Sequence, residues 1–297
     1  MKLSVIIPVF NAASTLEKCL KSVVDQHVDD MEIILVNDGS TDQECNILCE
    51  HLAESIPQIR YIQQAHAGLS RARNEGLDVA TGSFITFVDA DDYLEDNTYI
   101  PLLQLFEQDE NTDIIEFSYI EKEGHRRLER KKILPNQAYT TFKDYWLQAY
   151  AYQHAYMCNK IFRKSLFNNI RFPIAKHFED VATLPLLAKQ SRKIRTTSLG
   201  LYHYCWNNKG ITANASAADF SFLLTSYLKI LQEVSNSAYY ESVLNIQLDT
   251  YELGDRQLRL PLKPYYGTIK LCLLHILSLD KLCKLNLLYH KLMRALK

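Results

Sequence analysis

Three carboxylates stand within four residues at Asp89-Ala90-Asp91-Asp92, directly after the apolar run Phe84-Ile85-Thr86-Phe87-Val88. Such a run reads as a strand buried on both faces. Like charges this close raise one another's proton affinity, and they cost stability unless a cation neutralises them. Oxygen-only ligands suit a hard divalent ion, Mn²⁺ or Mg²⁺, which keeps waters and takes substrate phosphates as further ligands. In open α/β sheets the ligand crevice lies outside the carboxyl ends of the strands, where this cluster would sit. A solvated acidic turn is the competing reading of the four residues taken alone.

Three further segments carry candidate chemistry. Val36-Asn37-Asp38-Gly39-Ser40-Thr41-Asp42 reads as an Asp-Gly turn, with glycine supplying a positive φ. A carboxylate placed there can also accept the imide N–H of a pyrimidine, and the two roles are compatible. Gly68-Leu69-Ser70-Arg71-Ala72-Arg73-Asn74-Glu75-Gly76 opens a helix with two arginines in its first turns. The helix dipole disfavours cations there, which hints at a nearby anionic or polar ligand; a solvated basic face is the alternative. Glu179-Asp180 precedes the helical face Val181, Leu184, Leu187 and Ala188, so the pair reads either as amino-terminal helix charges or as a catalytic couple. Neither a GxxxxGK[ST] phosphate loop nor a GxGxxG fingerprint occurs. A nucleotide would therefore be gripped by metal, base pocket and arginine.

These residues need elements to position them. Leu3 to Ile7 reads as a strand stopped by Pro8, and Ser14-Thr15-Leu16-Glu17 as a capping box opening a helix. Ile33 to Val36 is a second strand, a helix is expected near Cys45 to Ser55, and Tyr61-Ile62 marks a third strand. A helix from Leu69 ends by Gly82, and the aspartate-tipped strand follows. This alternation predicts a parallel sheet with helices on both faces. Asp113 to Tyr119 predicts another strand, and the charged stretch Glu121 to Lys132 an exposed hairpin or excursion. Helices are expected at 142–150, 163–168 and 180–190, and short strands at 194–198 and 201–206. From Ala217 onward nearly everything reads as helix. The composition shift near Ala215 predicts a domain of residues 1–215, with a nucleotide half (1–100) and an acceptor half (101–215), followed by a helical region, 216–297.

Composition bounds the function. A chain of 297 residues, 47% hydrophobic, can bury a large core, and a formal charge of −2 gives no pull toward nucleic acid. Seven cysteines without framework spacing predict reduced thiols and hence a cytoplasmic location. No cleavable leader is read at the start, and no run reaches the length of a membrane span. The tail from Ile269 to Leu296 interleaves leucines with Lys270, Lys281, Lys284, Lys291 and Arg294. A basic amphipathic helix of this kind suits a membrane surface; packing on the domain or on a second copy in a homodimer is the competing arrangement.

Taken together, Ser4-Val5-Ile6-Ile7-Pro8-Val9-Phe10-Asn11, Val36 to Asp42, Ala72-Arg73-Asn74-Glu75-Gly76 and Phe87-Val88-Asp89-Ala90-Asp91-Asp92 resemble the family 2 inverting glycosyltransferases of GT-A fold. Order and spacing match over roughly residues 1–100. The likeness continues less tightly through Cys158 to Phe162, Phe178-Glu179-Asp180 and Tyr202-His203-Tyr204. It implies an α/β fold with a Rossmann-like mixed sheet flanked by helices and a helical carboxyl-terminal extension. It also implies a nucleotide-sugar site of Pro8, Val9, Phe10, Asn11, Asp38, Arg71, Arg73, Asp89 and Ala90, in which Asp38 and Pro8 to Asn11 hold the base, most often uracil. Asp91, with Asp89, would hold the metal, and Asp180, beside Glu179, would be the general base. Family members often carry an arginine after the late tyrosine-rich strand, where this chain has Cys205 and Trp206. Lys209 or His203 would stand in at the diphosphate; His203 reads either as a metal ligand or as a packed histidine.

The resemblance implies a metal-dependent inverting transfer of a sugar from a nucleotide-sugar, UDP-linked by expectation, to a hydroxyl of a glycan or lipid-linked saccharide. Bacterial surface polysaccharide synthesis, capsule or lipopolysaccharide, is the expected setting. Such transfer needs cationic stabilisation of the departing diphosphate and a base for the acceptor proton. A nucleotidyltransferase is the rival enzyme, but it would want a glycine-rich basic loop where this chain has Pro8-Val9-Phe10-Asn11-Ala12. A nucleotide-sugar-binding protein without catalysis is the rival from another class.

Overall fold

The computed structural model describes residues 2–122 and 129–295. Its amino-terminal half alternates as the apolar runs require: β1 (Leu3–Val9), α1 (Ala13–Val24), β2 (Met31–Asn37), α2 (Gln43–Ser55), β3 (Ile59–Gln63), α3 (Leu69–Val79) and β4 (Phe84–Phe87). β1 pairs in parallel with β2 on one side and β4 on the other, and β2 pairs in parallel with β3. Pro8 does not stop β1. The pairing with β4 ends at Ile6–Phe87, so the N–H that proline lacks falls on an edge with no partner strand.

The expected capping box does not form. α1 starts at Ala13, its Ala12 cap makes no side-chain bond, and Ser14 and Glu17 lie inside the first turns. The preceding loop sets this start. Asn11 has φ 51°, and its Oδ1 accepts from the amides of Thr41 (2.9 Å) and Asp42 (3.0 Å), which delivers the chain into the helix early.

The second half continues with β5 (Tyr93–Leu94), α4 (Tyr99–Gln108), β6 (Ile114–Lys122), β7 (Glu129–Lys132), β8 (Gln137–Tyr139), α5 (Phe142–Gln148), β9 (Lys160–Arg163), α6 (Glu179–Gln190) and β10 (Ile194–Cys205). Among the described residues the strands form one sheet in the order β3-β2-β1-β4-β9-β6-β10-β5, with β7 on β6 and β8 on β10. β9 enters antiparallel between β4 and β6, which makes the sheet mixed. The two strands expected at 194–198 and 201–206 are one strand whose register shifts between Thr197 and Tyr202. Gly200 lies in that shift at φ 71°, and a Cβ there would meet Thr98 at 2.9 Å. The charged excursion is in part a hairpin, since β7 pairs antiparallel with the end of β6; residues 123–128 lie outside the described residues. Of the helix expected at 163–168 only a 3-10 turn at Lys164–Phe167 exists, because Arg163 belongs to β9.

Three helices follow: α7 (Ala217–Glu233), α8 (Ser237–Leu253) and α9 (Ile269–Ala295), the last kinked at Ser278. One sheet face packs on α1, α2 and α4; the other continues through α3, α5 and α6 into buried residues of α7, α8 and α9. Inside that second layer Glu116 of β6 is wholly buried. Lys160 Nζ lies 2.7 Å and His154 Nδ1 2.8 Å from its Oε1, and Tyr145 donates to Oε2 at 2.8 Å. Burial pushes the carboxyl up, but the charges of Lys160 and His154 outweigh it and hold it down at about 2.

A lowered carboxyl stabilises the fold above its ordinary pKa, and that contribution is lost as pH falls from about 4 toward 2. Lys160→Met leaves a buried carboxylate short of its charge partner, so it is expected to destabilise by about 3–5 kcal/mol. Urea titration of both proteins at pH 7 and pH 4 checks this. The penalty should shrink at the lower pH, where the orphaned Glu116 can take up a proton.

Candidate functional site

The turn after β4 carries the acidic cluster, and β10 fixes it. Tyr202 donates its hydroxyl to Asp92 Oδ2 at 2.7 Å and accepts from the Asp89 amide at 3.2 Å. The Cys205 amide donates to Asp92 Oδ1 at 2.6 Å. Asp92 is thus buried and spent on holding the turn, a role that no local sequence signal distinguishes from metal binding. Asp91 accepts from Asn207 Nδ2 at 2.9 Å. Burial and the neighbouring Asp89 push the Asp91 carboxyl up; burial, Asp89 and Asp91 push Asp92 well up.

Ligand atoms of Asp89, Asp92 and Cys158 lie within 4.8 Å of one another. Asp91 is not in that group, and both Asp92 oxygens are taken by Tyr202 and Cys205. The carboxylates of Asp89 and Asp91 suit a hard divalent ion, which would relieve the charge that raises Asp91. The Cys158 thiol does not suit such an ion, and burial pushes its pKa well above the ordinary value. His203 stands apart from this group. Its Nε2 lies 2.6 Å from Glu95 Oε2 and its ring stacks on Tyr93 at 4.2 Å.

Arg73 joins this cluster to the second acidic pair. The second turn of α3 buries its side chain to 1% exposure, between Phe87 and Phe172. Nη2 donates to Asp89 Oδ1 at 2.9 Å, and Nη1 to Glu179 Oε1 at 2.7 Å and Asp180 Oδ1 at 2.5 Å. Burial opposes the charge, but Asp180, Asp89 and Glu179 hold the guanidinium well above its ordinary pKa. The anions that the misplaced arginine hinted at include the protein's own. Arg71 is different: it is exposed and pairs with Glu75 at 3.3 Å on the same helix, as the solvated-face reading allowed.

Glu179 and Asp180 start α6 behind Phe178, which has φ 59°. Burial and the charge of Asp180 push the Glu179 carboxyl up against Arg73. Burial also pushes Asp180 up, with Arg73 and the Met157 amide opposing. The two side chains differ in access: Asp180 is 21% exposed and Glu179 4%.

At the far end, Asp38 closes a loop. Its Oδ1 accepts from the Ala67 amide (2.9 Å) and its Oδ2 from the Gly68 amide (2.8 Å), with His66 Nδ1 2.8 Å away. Gly39 has φ 64°, and a Cβ there would lie 2.5 Å from the His66 nitrogen, so the Asp-Gly turn is real. Phe10 is 43% exposed and stacks on His66 at 4.2 Å. Pro8 and Val9 are buried in β1 beneath it, and Asn11 bridges to Thr41. His66 and Gln64, which also bonds Asp38, carried no recognisable sequence pattern.

Residues 4–171 match the family profile described as Glycosyl transferase family 2. The chain belongs to glycosyl transferase family 2. The fold and family implied by the four sequence blocks are those found. This family 2 chain is 30% identical over 83% of its length to Glycosyltransferase GlyA of Streptococcus pneumoniae serotype 4, of which it spans 38%. It is 31% identical over 71% of its length to Uncharacterized glycosyltransferase YibD of Escherichia coli K12, of which it spans 63%. The chain therefore spans less than two thirds of these relatives. Its fold matches S. aureus TarS 1–349 in complex with UDP-GlcNAc at a TM-score of 0.69, with 19% identity, covering 98% of this chain and 92% of the other.

The acidic cluster predicts how metal and protons compete. Raised carboxyls bind protons more readily, so metal binding should weaken as pH falls through their elevated range. Mn²⁺ is expected to raise the melting temperature by several degrees at pH 7.5 and by much less at pH 5. Asp91→Asn should lose most of the shift at pH 7.5. Differential scanning calorimetry with and without the ion measures both.

Proposed function

We propose that this family 2 chain is a metal-dependent inverting glycosyltransferase. It moves a sugar from a nucleotide-sugar, UDP-linked in the first instance, to an acceptor hydroxyl on a glycan or lipid-linked saccharide of a bacterial surface polysaccharide. One observation carries the reading: Arg73 draws Asp89 of the acidic turn and Asp180 of α6 onto a single guanidinium. The residues fitted to a diphosphate-bound metal and the residue fitted to deprotonate an acceptor thereby face one another.

The chemistry follows from that juxtaposition. The acceptor oxygen forms a bond to the anomeric carbon while the bond from that carbon to the diphosphate breaks, and the electron pair leaves with the nucleoside diphosphate. Asp180 takes the acceptor proton, being the more accessible of the acidic pair. A divalent cation, when bound by Asp89 and Asp91, supplies positive charge to the departing diphosphate. Phe10 and His66 offer a stacked aromatic edge for the base, with Asp38 holding the loop behind them. Support for the donor and acceptor classes comes from the TarS complex with UDP-GlcNAc. It comes also from a Campylobacter jejuni relative named GalNAc(5)-diNAcBac-PP-undecaprenol beta-1,3-glucosyltransferase, 33% identical over 58% of this chain and spanned to 54% by it.

Lipid-linked acceptors would favour a membrane-facing enzyme on the cytoplasmic side. No helix of the described residues is long and apolar enough to cross a bilayer. α9 buries Leu271, Leu274, Leu282 and Cys283, and exposes Ile276, Leu285, Leu288 and Leu292 beside Lys281, Lys284 and Lys291. That outer stripe suits an anionic lipid surface.

Asp180→Asn is expected to bind UDP and Mn²⁺ within about twofold of wild type yet lose about a hundred- to ten-thousand-fold in turnover. Glu179→Gln should lose less. Calorimetry paired with UDP release decides, and an active Asp180→Asn beside a dead Glu179→Gln would move the base to Glu179. For the membrane, full-length protein should pellet with phosphatidylglycerol vesicles and not with phosphatidylcholine. Replacing Leu288 and Leu292 by Glu should abolish that pelleting; equal pelleting of both proteins would reject the surface.

A further inference from the structure

Residues 175–178 carry Glu179 and Asp180 into the site, and their backbone is not one that these side chains choose unaided. Ala175 (φ 57°) and Phe178 (φ 59°) both sit in the left-handed region without being glycine. Something outside the segment must hold it, and the first turns of α7 make three contacts with it. His177 Nδ1 lies 3.1 Å from Asp219 Oδ1. The Phe178 ring meets Phe220 edge-on at 5.7 Å between centroids. Lys176 Nζ lies 5.6 Å from the centre of the Phe222 ring.

Asp219 is itself fixed. It closes the α7 capping box, its Oδ2 accepting from the Ser216 amide at 2.8 Å and the Ser216 hydroxyl at 2.6 Å. α7 is anchored in turn through Tyr227, whose hydroxyl donates to the Tyr152 carbonyl at 2.5 Å. A half-exposed polar contact such as His177–Asp219 is weak alone. Three contacts on consecutive residues restrict the segment far more than any one of them.

We propose that Asp219, Phe220 and Phe222 are positioning residues for sugar transfer: by holding residues 176–178 they set where the Asp180 carboxylate points. The inference rests on the reading of Asp180 as base. It gives the first turns of α7 a part in placing the base.

The test uses the full chain with Mn²⁺ and whichever of UDP-glucose, UDP-galactose and UDP-GlcNAc gives the fastest UDP release, with water as acceptor. The double variant Asp219→Asn, Phe220→Ala should lose about ten- to a hundredfold in turnover, with UDP affinity within twofold of wild type. The midpoint of its pH–rate profile should also move, because Asp180 no longer keeps its fixed distance from Arg73. The reciprocal exchange His177→Asp with Asp219→His, made in the Phe220 wild-type background, should recover most of the turnover that Asp219→Asn alone loses. Wild-type turnover and an unmoved pH profile in the double variant would overturn the proposal. So would a parallel fall of turnover, UDP affinity and melting temperature, which marks a merely structural contact. Asp180→Asn is run alongside. If it retains turnover, the base assignment and this inference fall together; if it is dead while the α7 variants are normal, only this inference falls.

Discussion

Arg73 carries a full positive charge in a place that water scarcely reaches, and the site is arranged around that fact. A guanidinium buried to 1% exposure is costly unless its N–H groups meet acceptors and its charge meets anions. Asp89, Glu179 and Asp180 answer that need from two elements about ninety residues apart in the chain. The same need ties the end of β4 to the start of α6, closing the sheet's carboxyl edge against the helical layer. The carboxylates benefit in return. Burial pushes the adjacent carboxyls of Glu179 and Asp180 up, and the guanidinium opposes that rise in both.

This arrangement bears on catalysis as well as on folding. A general base must be ionised before it accepts a proton and must hold that proton readily afterwards. On the proposed reading of Asp180 as base, burial raises its proton affinity and the guanidinium opposes that rise. Metal binding at Asp89 would add a second positive charge on the far side of Arg73 and weaken its hold on that carboxylate.

What could be read in advance divides along physical lines. β1, β2 and β4 were legible because strands buried on both faces are written as continuous apolar runs. The acidic cluster was legible because three carboxylates on a buried strand's end demand an explanation. The partners of Arg73 were hidden, since nothing local links residue 73 to residue 179; only its placement against the helix dipole hinted at anions nearby. The contacts of Tyr202 and His66 were hidden for the same reason, each acting on a residue far away in sequence. The start of α1 was misread because a loop bond from Asn11 to Thr41 and Asp42 outweighed the local Ser14–Glu17 signal. The late strand was expected as two, whereas in the sheet a register shift between Thr197 and Tyr202 lets one strand continue.

Pro8 has a consequence for the shape of the crevice. On the edge of β1 that faces β4, the last rung is the Val88 amide on the Ile6 carbonyl. The next rung would need a hydrogen from position 8, and proline has none to give. The ladder therefore unzips at that point: β1 runs on beside β2 to Val9, while the chain after Phe87 peels away toward β10 and Tyr202. Phe10 follows the end of one diverging path and Asp89 lies on the other. The position without that hydrogen thus coincides with the point where β1 and the chain after β4 part.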